Sequence, residues 1–407
     1  MSLEESVPVE PVAEAPREVT HTAPAGGVPQ VAVDADQILA ITQQLHSGSG
    51  VLAVDAERAS GYRYSQRAYL LQFARNGAGI ALFDPTTTAN YGSLQSLVNS
   101  LPWILHAATQ DLACLREAGF MPSSVYDTEL AAKLLGRPRV GLGALLEQEL
   151  DVVLAKEHSA VDWSTRPLPQ DWLAYAALDV EFLVDLHEHL LRELEAAARV
   201  DWYEQERALL LTFNGPAPRE EPWRRVSGLH VLREARRLAV VRALWTARDE
   251  RARELDVSPG RVLHDSVIVD IAKHLPASSR AMQALRPVHS RNVRKDPEYW
   301  WAAVARALAL PEAELPKRTP SEGSIPPPRA WAQRNPEAAQ RWERVRPAVV
   351  ATAELLGLAA EVLVSPEAIR QLCWNGTVDV EDFLTQQGCR AWQVAQLRAP
   401  ITAALAE

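Results

Sequence analysis

Val51-Leu52-Ala53-Val54-Asp55-Ala56-Glu57 runs four apolar residues straight into two acids spaced i, i+2. An unbroken apolar run of this length suits a strand buried on both faces. Side chains alternate along a strand, so Asp55 and Glu57 point to the same side. At ~4 Å, two carboxylates repel by roughly 4 kcal/mol at an effective dielectric of 20. A divalent cation is the simplest counter-charge. Other acid pairs at this spacing, such as Glu147/Glu149 and Glu193/Glu195, lack the apolar run and read as solvated faces.

Outward from this stretch, Tyr69–Ala74 and Gly79–Phe83 are two further strands, joined by Arg75-Asn76-Gly77-Ala78. Asn-Gly favours a tight hairpin, so the three strands form an antiparallel meander. Before them, residues 34–46 form an amphipathic helix with Ile38, Leu39, Ile41 and Leu45 on one side. After them, strand and helix alternate: Asn90–Ser100 helical, Trp103–His106 a strand, Thr109–Ala118 helical. A helix over Glu129–Leu135 follows, capped by Asp127 or Thr128 and ended by Gly136 and Pro138. Such alternation adds parallel strands to a sheet. A long helix is expected from about Gln170 to Ala198.

The 407 residues allow two or three domains, and 47% hydrophobic residues supply a sizeable core. Residues 1–28, rich in Pro, Ala, Val and Glu, read as a disordered tail. The first domain spans 29–213 and a linker spans 214–222. A helical domain at 223–308, a second linker at 309–328 and a helical block at 329–407 complete the chain. No run approaches ~20 apolar residues, so no membrane span is expected. The start, Met1-Ser2-Leu3-Glu4-Glu5, lacks the layout of a signal peptide. Cys114, Cys373 and Cys389 have no zinc-ligand spacing and read as thiols of a reducing cytoplasm. The net charge of −10 hides a split: residues 223–300 hold 16 basic and nine acidic side chains, a net of +7. A basic segment inside an acidic protein points to a polyanionic partner.

Two further acids stand out. Asp111 follows a strand in the first turn of a helix, where an acid is also favourable in its own right. Asp179 shares a helix face with Tyr175 at i, i+4. Together, Asp55/Glu57, Asp111 and Tyr175/Asp179 resemble the three exonuclease motifs of the DEDD superfamily in its Tyr-bearing branch, above all those of the ribonuclease D family. Tyr126-Asp127-Thr128-Glu129 and the set Lys156, Ser159, Asp162-Trp163, Arg166-Pro167-Leu168 extend the likeness over roughly residues 31–213. His264-Asp265-Ser266 through Leu275-Pro276 resembles an HRDC domain, a helical nucleic-acid-binding module. The last block resembles a second, diverged HRDC-like domain. Ala56 stands where the family usually has Thr, Arg58 where it often has an aromatic, and Val161 where a small hydroxyl residue is common; no metal ligand is lost.

The resemblance implies a ribonuclease H-like mixed five-stranded sheet with helices, followed by two all-α domains. It implies a 3′–5′ exoribonuclease that uses two divalent ions, Mg²⁺ or Mn²⁺, and releases nucleoside 5′-monophosphates, as in tRNA 3′ maturation. Asp55, Glu57, Asp111 and Asp179 would be the metal ligands. Asp55 would bridge the ions, Glu57 and Asp179 would complete one site, and Asp111 would serve the second through water. Tyr175 would orient the attacking water, because a phenol of pKa ≈ 10 is a poor base at neutral pH. A 3′–5′ DNA exonuclease, or a catalytically silent nucleic-acid-binding scaffold, is the alternative; the complete set of acids and the Tyr argues against the scaffold. The expected partner is RNA with a single-stranded 3′ end, tRNA precursors first, and the expected state is a monomer.

Nucleic-acid contacts are expected from Tyr62 and Tyr64, which follow the first acids in a polar stretch, and from Lys156. They are also expected from Arg233, Arg236, Arg237 and Arg242 on one helix of the basic segment. Trp103, Trp163 and Trp172 could stack bases, but core packing suits Trp103 better. His106 reads as a buried, hydrogen-bonded histidine.

Overall fold

β2 (Ser49–Arg58), which carries the opening stretch, lies inside the sheet between β3 (Ala68–Asn76) and β5 (Pro102–Leu105). The computed structural model describes residues 21–155, 160–285, 291–317, 325–376 and 379–406. Among them six strands form one mixed sheet in the order β1-β4-β3-β2-β5-β6, with β1 at Val31–Ala32, β4 at Gly79–Phe83 and β6 at Ser124–Asp127. β2, β3 and β4 make the expected antiparallel meander. β5 joins β2, and β6 joins β5, in parallel. The sheet has six strands rather than five because β1 pairs in parallel with β4. Two residues are too few to carry a strand period in the sequence.

Helices cover both faces. Leu52, Val54 and Ala56 of β2 pack with Ile38, Ile41 and Leu45 of α1 (Ala35–Ser47), Leu94 and Val98 of α2 (Gly92–Ser100), and Leu112 and Leu115 of α3 (Leu112–Glu117). Each Leu, Ile or Val among these, once fully buried, contributes about 1.5–3 kcal/mol. Leu39, placed with this face by the sequence, is instead exposed. Next in the chain come α4 (Thr128–Leu134) and α5 (Leu142–Leu150). On the other face Ala53 packs with Val180, Leu183 and Val184, from α6 (Gln170–Glu181) and α7 (Leu183–Ala196). The single long helix expected here breaks at Phe182. Alternation puts Asp55 and Glu57 on the α6 face with Ala53.

Residues 21–28, which composition assigns to the tail, belong to the domain. His21 exchanges backbone hydrogen bonds with Val153 and Ala155, its ring packs edge-on against Phe182, and Ala25 N–H donates to Glu181. The rest of the expected tail lies outside the described residues.

After α8 (Val200–Arg207), the basic segment forms α9 (Ala235–Leu255), α10 (Pro259–Val262), α11 (Asp265–His274), α12 (Ser279–Gln283), α13 (Arg291–Lys295) and α14 (Pro297–Ala309). They enclose their own core around Leu238, Val241, Leu244, Ile268, Trp300 and Val304. The last block, α15 (Trp331–Arg334), α16 (Pro336–Leu356), α17 (Ala360–Leu363), α18 (Pro366–Asn375), α19 (Val380–Gln386) and α20 (Ala391–Ala406), does not stand apart. Its Trp331, Val345, Leu372, Leu397 and Ile401 share one core with Ala131, Leu134, Leu145, Leu186, Leu190 and Tyr203 of the first domain. Arg390 forks onto Glu206 at 2.9 and 2.6 Å, and Trp392 stacks on Trp202 at 4.5 Å. At Gly136, φ +72°, an added Cβ would lie 1.8 Å from the Gly357 carbonyl oxygen.

Candidate active site

Asp55 and Glu57 leave the α6 face of β2 where the first turns of α6 place Tyr175 and, one turn on, Asp179. Asp55, Glu57 and Asp179 each offer an oxygen, and these atoms lie within 4.8 Å of one another. Asp111 and Tyr175 line the same cavity of about 490 Å³, with Arg58, Tyr62 and His106. The five residues that the motifs single out are therefore brought together.

Asp111 owes its place to Asp127. The buried Asp127 carboxylate accepts from the N–H groups of Glu129 and Leu130, which caps α4. It also accepts from Ala107 and Ala108 at 3.0 and 2.9 Å, and so pins the turn that enters Asp111. His106 meets the Thr128 hydroxyl through Nδ1 at 2.9 Å. Burial lowers its pKa to about 4, so it is neutral at pH 7.

Arg58 is the residue whose role the sequence missed. The β2–β3 register shifts between Glu57 and Arg58. Simple alternation would send Arg58 to the other face; past the irregularity it lines the cavity instead. Its Nη2 lies 3.3 Å from Asp111 Oδ1. The signal was a charged residue in place of an aromatic next to the first motif. Gln72 was missed too. It pairs with Asp55 across the strands, is fully buried, and neither of its side-chain polar atoms has a hydrogen-bond partner among the described residues. A Gln inside an otherwise apolar strand was the available signal.

Electrostatics fit a cation. Burial pushes Asp55 above the ordinary carboxylate range, with partial relief from the Ala56 N–H and Arg58. Burial pushes Glu57 and Asp179 well above it, and the neighbouring acids add to the rise. Asp111 is raised by burial and by Asp55, and Arg58 opposes this. Three oxygen donors without His or Cys are the ligand chemistry of hard divalent ions. Burial and then Asp179 push the Tyr175 hydroxyl above its usual pKa, so it is protonated and able to donate a hydrogen bond.

The remaining expected contacts divide. Tyr62 stays at the cavity, its hydroxyl 3.3 Å from the Ala160 carbonyl. Tyr64 faces the second domain, with its hydroxyl 3.1 Å from Asp249 and beneath Arg253, so it is a domain contact rather than an open stacking platform. Arg236, Arg237 and Arg242 do not form an open basic face. Arg236 donates to Ala307 and Leu308 carbonyls at the end of α14, Arg237 to the Lys273 carbonyl near the end of α11, and Arg242 to the Glu314 carbonyl that ends a short 3-10 helix, Glu312–Glu314. Cations near helix C-termini satisfy the last carbonyls, which is what these three do. Arg233 is exposed. Lys156 lies outside the described residues. Trp163 and Trp103 are core residues. Arg166 ties Asp84 at 2.7 Å and the Tyr69 and Trp163 carbonyls, so the Asp-Trp…Arg-Pro stretch is fastened to the start of β3 and the end of β4.

The 3′-5′ exonuclease family matches residues 30–195, the HRDC domain family residues 237–304, and the 3′ to 5′ exonuclease C-terminal domain family residues 324–405. The last match assigns the final block to that C-terminal domain family. A crystal structure of a protein from Bifidobacterium adolescentis is similar with a TM-score of 0.87 at 39% identity, covering 95% of this chain and 99% of that one. Escherichia coli RNase D shares the fold, with a TM-score of 0.68 at 22% identity, over 93% of this chain and 98% of that one. Ribonuclease D of Nitrobacter hamburgensis is 30% identical over 286 residues, 68% of this chain and 70% of that protein. With the motif acids and Tyr175 gathered in one cavity, the chain belongs to the ribonuclease D family of 3′–5′ exoribonucleases.

Proposed function

We propose that this chain shortens single-stranded RNA 3′ ends one nucleotide at a time, releasing nucleoside 5′-monophosphates, with the 3′ tails of tRNA precursors as substrate. The observation that carries the reading is the convergence of Asp55, Glu57 and Asp179 within 4.8 Å, with Tyr175 and Asp111 on the same cavity. The three carboxylates would hold Mg²⁺ or Mn²⁺, with Asp111 serving a second ion. When bound, such ions activate water and neutralise charge on the leaving oxygen. The chain's own groups do the rest. Tyr175, protonated, orients the attacking water by hydrogen bonding and does not accept its proton. Arg58 holds Asp111 and places a fixed positive charge beside the phosphate path. His106 is neutral and shapes the wall. Tyr62, at the mouth, offers a ring to a base.

The test is incubation of the full chain with a 3′-tailed tRNA precursor and with single-stranded DNA of the same sequence, in Mg²⁺, Mn²⁺ or chelator. Shortening of the RNA alone, lost in chelator, is expected. Preferential shortening of the DNA would move the reading to a DNA exonuclease, and binding without shortening to a silent scaffold.

A further inference from the structure

The wall of the catalytic cavity formed by Ser60, Gly61 and Tyr62 is held from outside its own domain. Ser258 donates its backbone N–H to the Tyr62 carbonyl at 2.9 Å and its hydroxyl to the Gly61 carbonyl at 3.0 Å. Arg261 Nε donates to the same Gly61 carbonyl at 2.9 Å, and its guanidinium lies 4.1 Å over the Tyr62 ring. Farther along the loop, the Ser65 N–H donates to the Asp256 carboxylate at 2.9 Å. Asp256 can reach it because α9 ends there in a left-handed turn, φ 47°. These partners all come from the end of α9 and the start of α10, in the second domain. The carbonyls of Gly61 and Tyr62 thus find their donors across the domain boundary.

We propose that Ser258 and Arg261 are positioning residues for the active site: they hold the Gly61–Tyr62 wall against the incoming strand, so that the second domain completes the catalytic cavity. The occupant of that wall is the base of a nucleotide near the 3′ end, packed on Tyr62. The inference rests on the RNA reading above. It gives the second domain a role other than tethering, consistent with Arg236, Arg237 and Arg242 being committed to helix ends. Arg261 acts through Tyr62 and does not itself hold a phosphate.

The test uses the full chain and a fluorescent single-stranded hexaadenylate, with affinity measured in chelator and KM and kcat in Mn²⁺. Losing a hydrogen bond and the ring contact, Arg261→Ala should weaken binding about 5-fold and raise KM to match, with Arg261→Lys recovering part of the loss. Ser258→Ala should show a smaller loss of the same kind. Tyr62→Ala should weaken binding by ~10-fold, and Tyr62→Ala/Arg261→Ala should be no weaker than Tyr62→Ala alone, because coupled residues are not additive. The slope of log affinity against log salt should not change in Arg261→Ala. A slope lower by about 0.7, or additive losses in the double variant, would show that Arg261 holds RNA directly and overturn the proposal. Unchanged affinity in both Arg261→Ala and Ser258→Ala would overturn it as well. If Arg261→Ala does not fold, Ser258→Ala, which removes one hydroxyl, decides. Because affinity is read without hydrolysis, a wild-type chain that binds but releases no nucleotides contradicts the proposed function alone.

Discussion

The Arg58 guanidinium lies 3.3 Å from the Asp111 carboxylate, inside a cavity that also holds the acids Asp55, Glu57 and Asp179. The Arg58 side chain is 27% exposed and that of Asp111 only 7%. Removing the cation leaves a carboxylate in a poorly solvated place with Asp55 as its neighbour. Arg58→Met should therefore lose about 1–3 kcal/mol of stability in chelator, somewhat less than a fully buried pair. Part of that loss should return with Mn²⁺. Urea unfolding in both buffers measures it; an equal loss in the two would separate Arg58 from the metal site.

Tyr175→Phe should lower kcat roughly 10- to 100-fold, below the range of a true general base, with KM within about 2-fold. The change deletes the hydroxyl that faces Asp179 and keeps the ring packed. A selective loss of RNA affinity at unchanged kcat would make Tyr175 a substrate contact.

His187 is buried against the Tyr126 ring, and burial followed by Arg207 lowers its pKa to about 4. The unfolded chain takes up this proton near pH 6.5, before the folded protein does. His187 therefore contributes no penalty above pH 6.5 and up to ~3 kcal/mol of lost stability as pH falls from 6.5 toward 4. His187→Phe, measured against wild type by urea unfolding at pH 7.5 and 4.5, should lose less on acidification. Parallel pH curves for the two proteins would rule this out.

Gly136→Ala should destabilise the protein by about 2 kcal/mol or more, from a left-handed backbone and a forced shift of neighbouring backbone. The added methyl meets Gly357 of the last block, so the first and last domains should separate as one thermal transition becomes two. A single unshifted transition would show that the junction yields without cost.

Much of the site was legible because its residues obey local periods. Asp55 and Glu57 follow from the strand period, Tyr175 and Asp179 from the helix period, and the meander from Asn-Gly. Arg58 was not legible in its role, since a local register shift turns it to the cavity and no period announces one. β1 is too short for a period, and the break at Phe182 carries no Gly or Pro. The shared core of the first and last domains was hidden for another reason. Residues such as Leu186 and Ile401 look like ordinary helix faces, and only tertiary packing shows that they share one core. For the same reason Arg236, Arg237 and Arg242 read as a basic face: their carbonyl partners lie more than 30 residues away.

The most direct measurement is product analysis of a 5′-labelled single-stranded RNA digested by wild type and by Asp179→Asn, with Mn²⁺ and with chelator. A ladder shortening by one nucleotide from the 3′ end and nucleoside 5′-monophosphates by mass spectrometry are expected from wild type in Mn²⁺, and neither product in chelator or with Asp179→Asn. Internal fragments, nucleoside 3′-monophosphates, or an unchanged ladder from Asp179→Asn would contradict it.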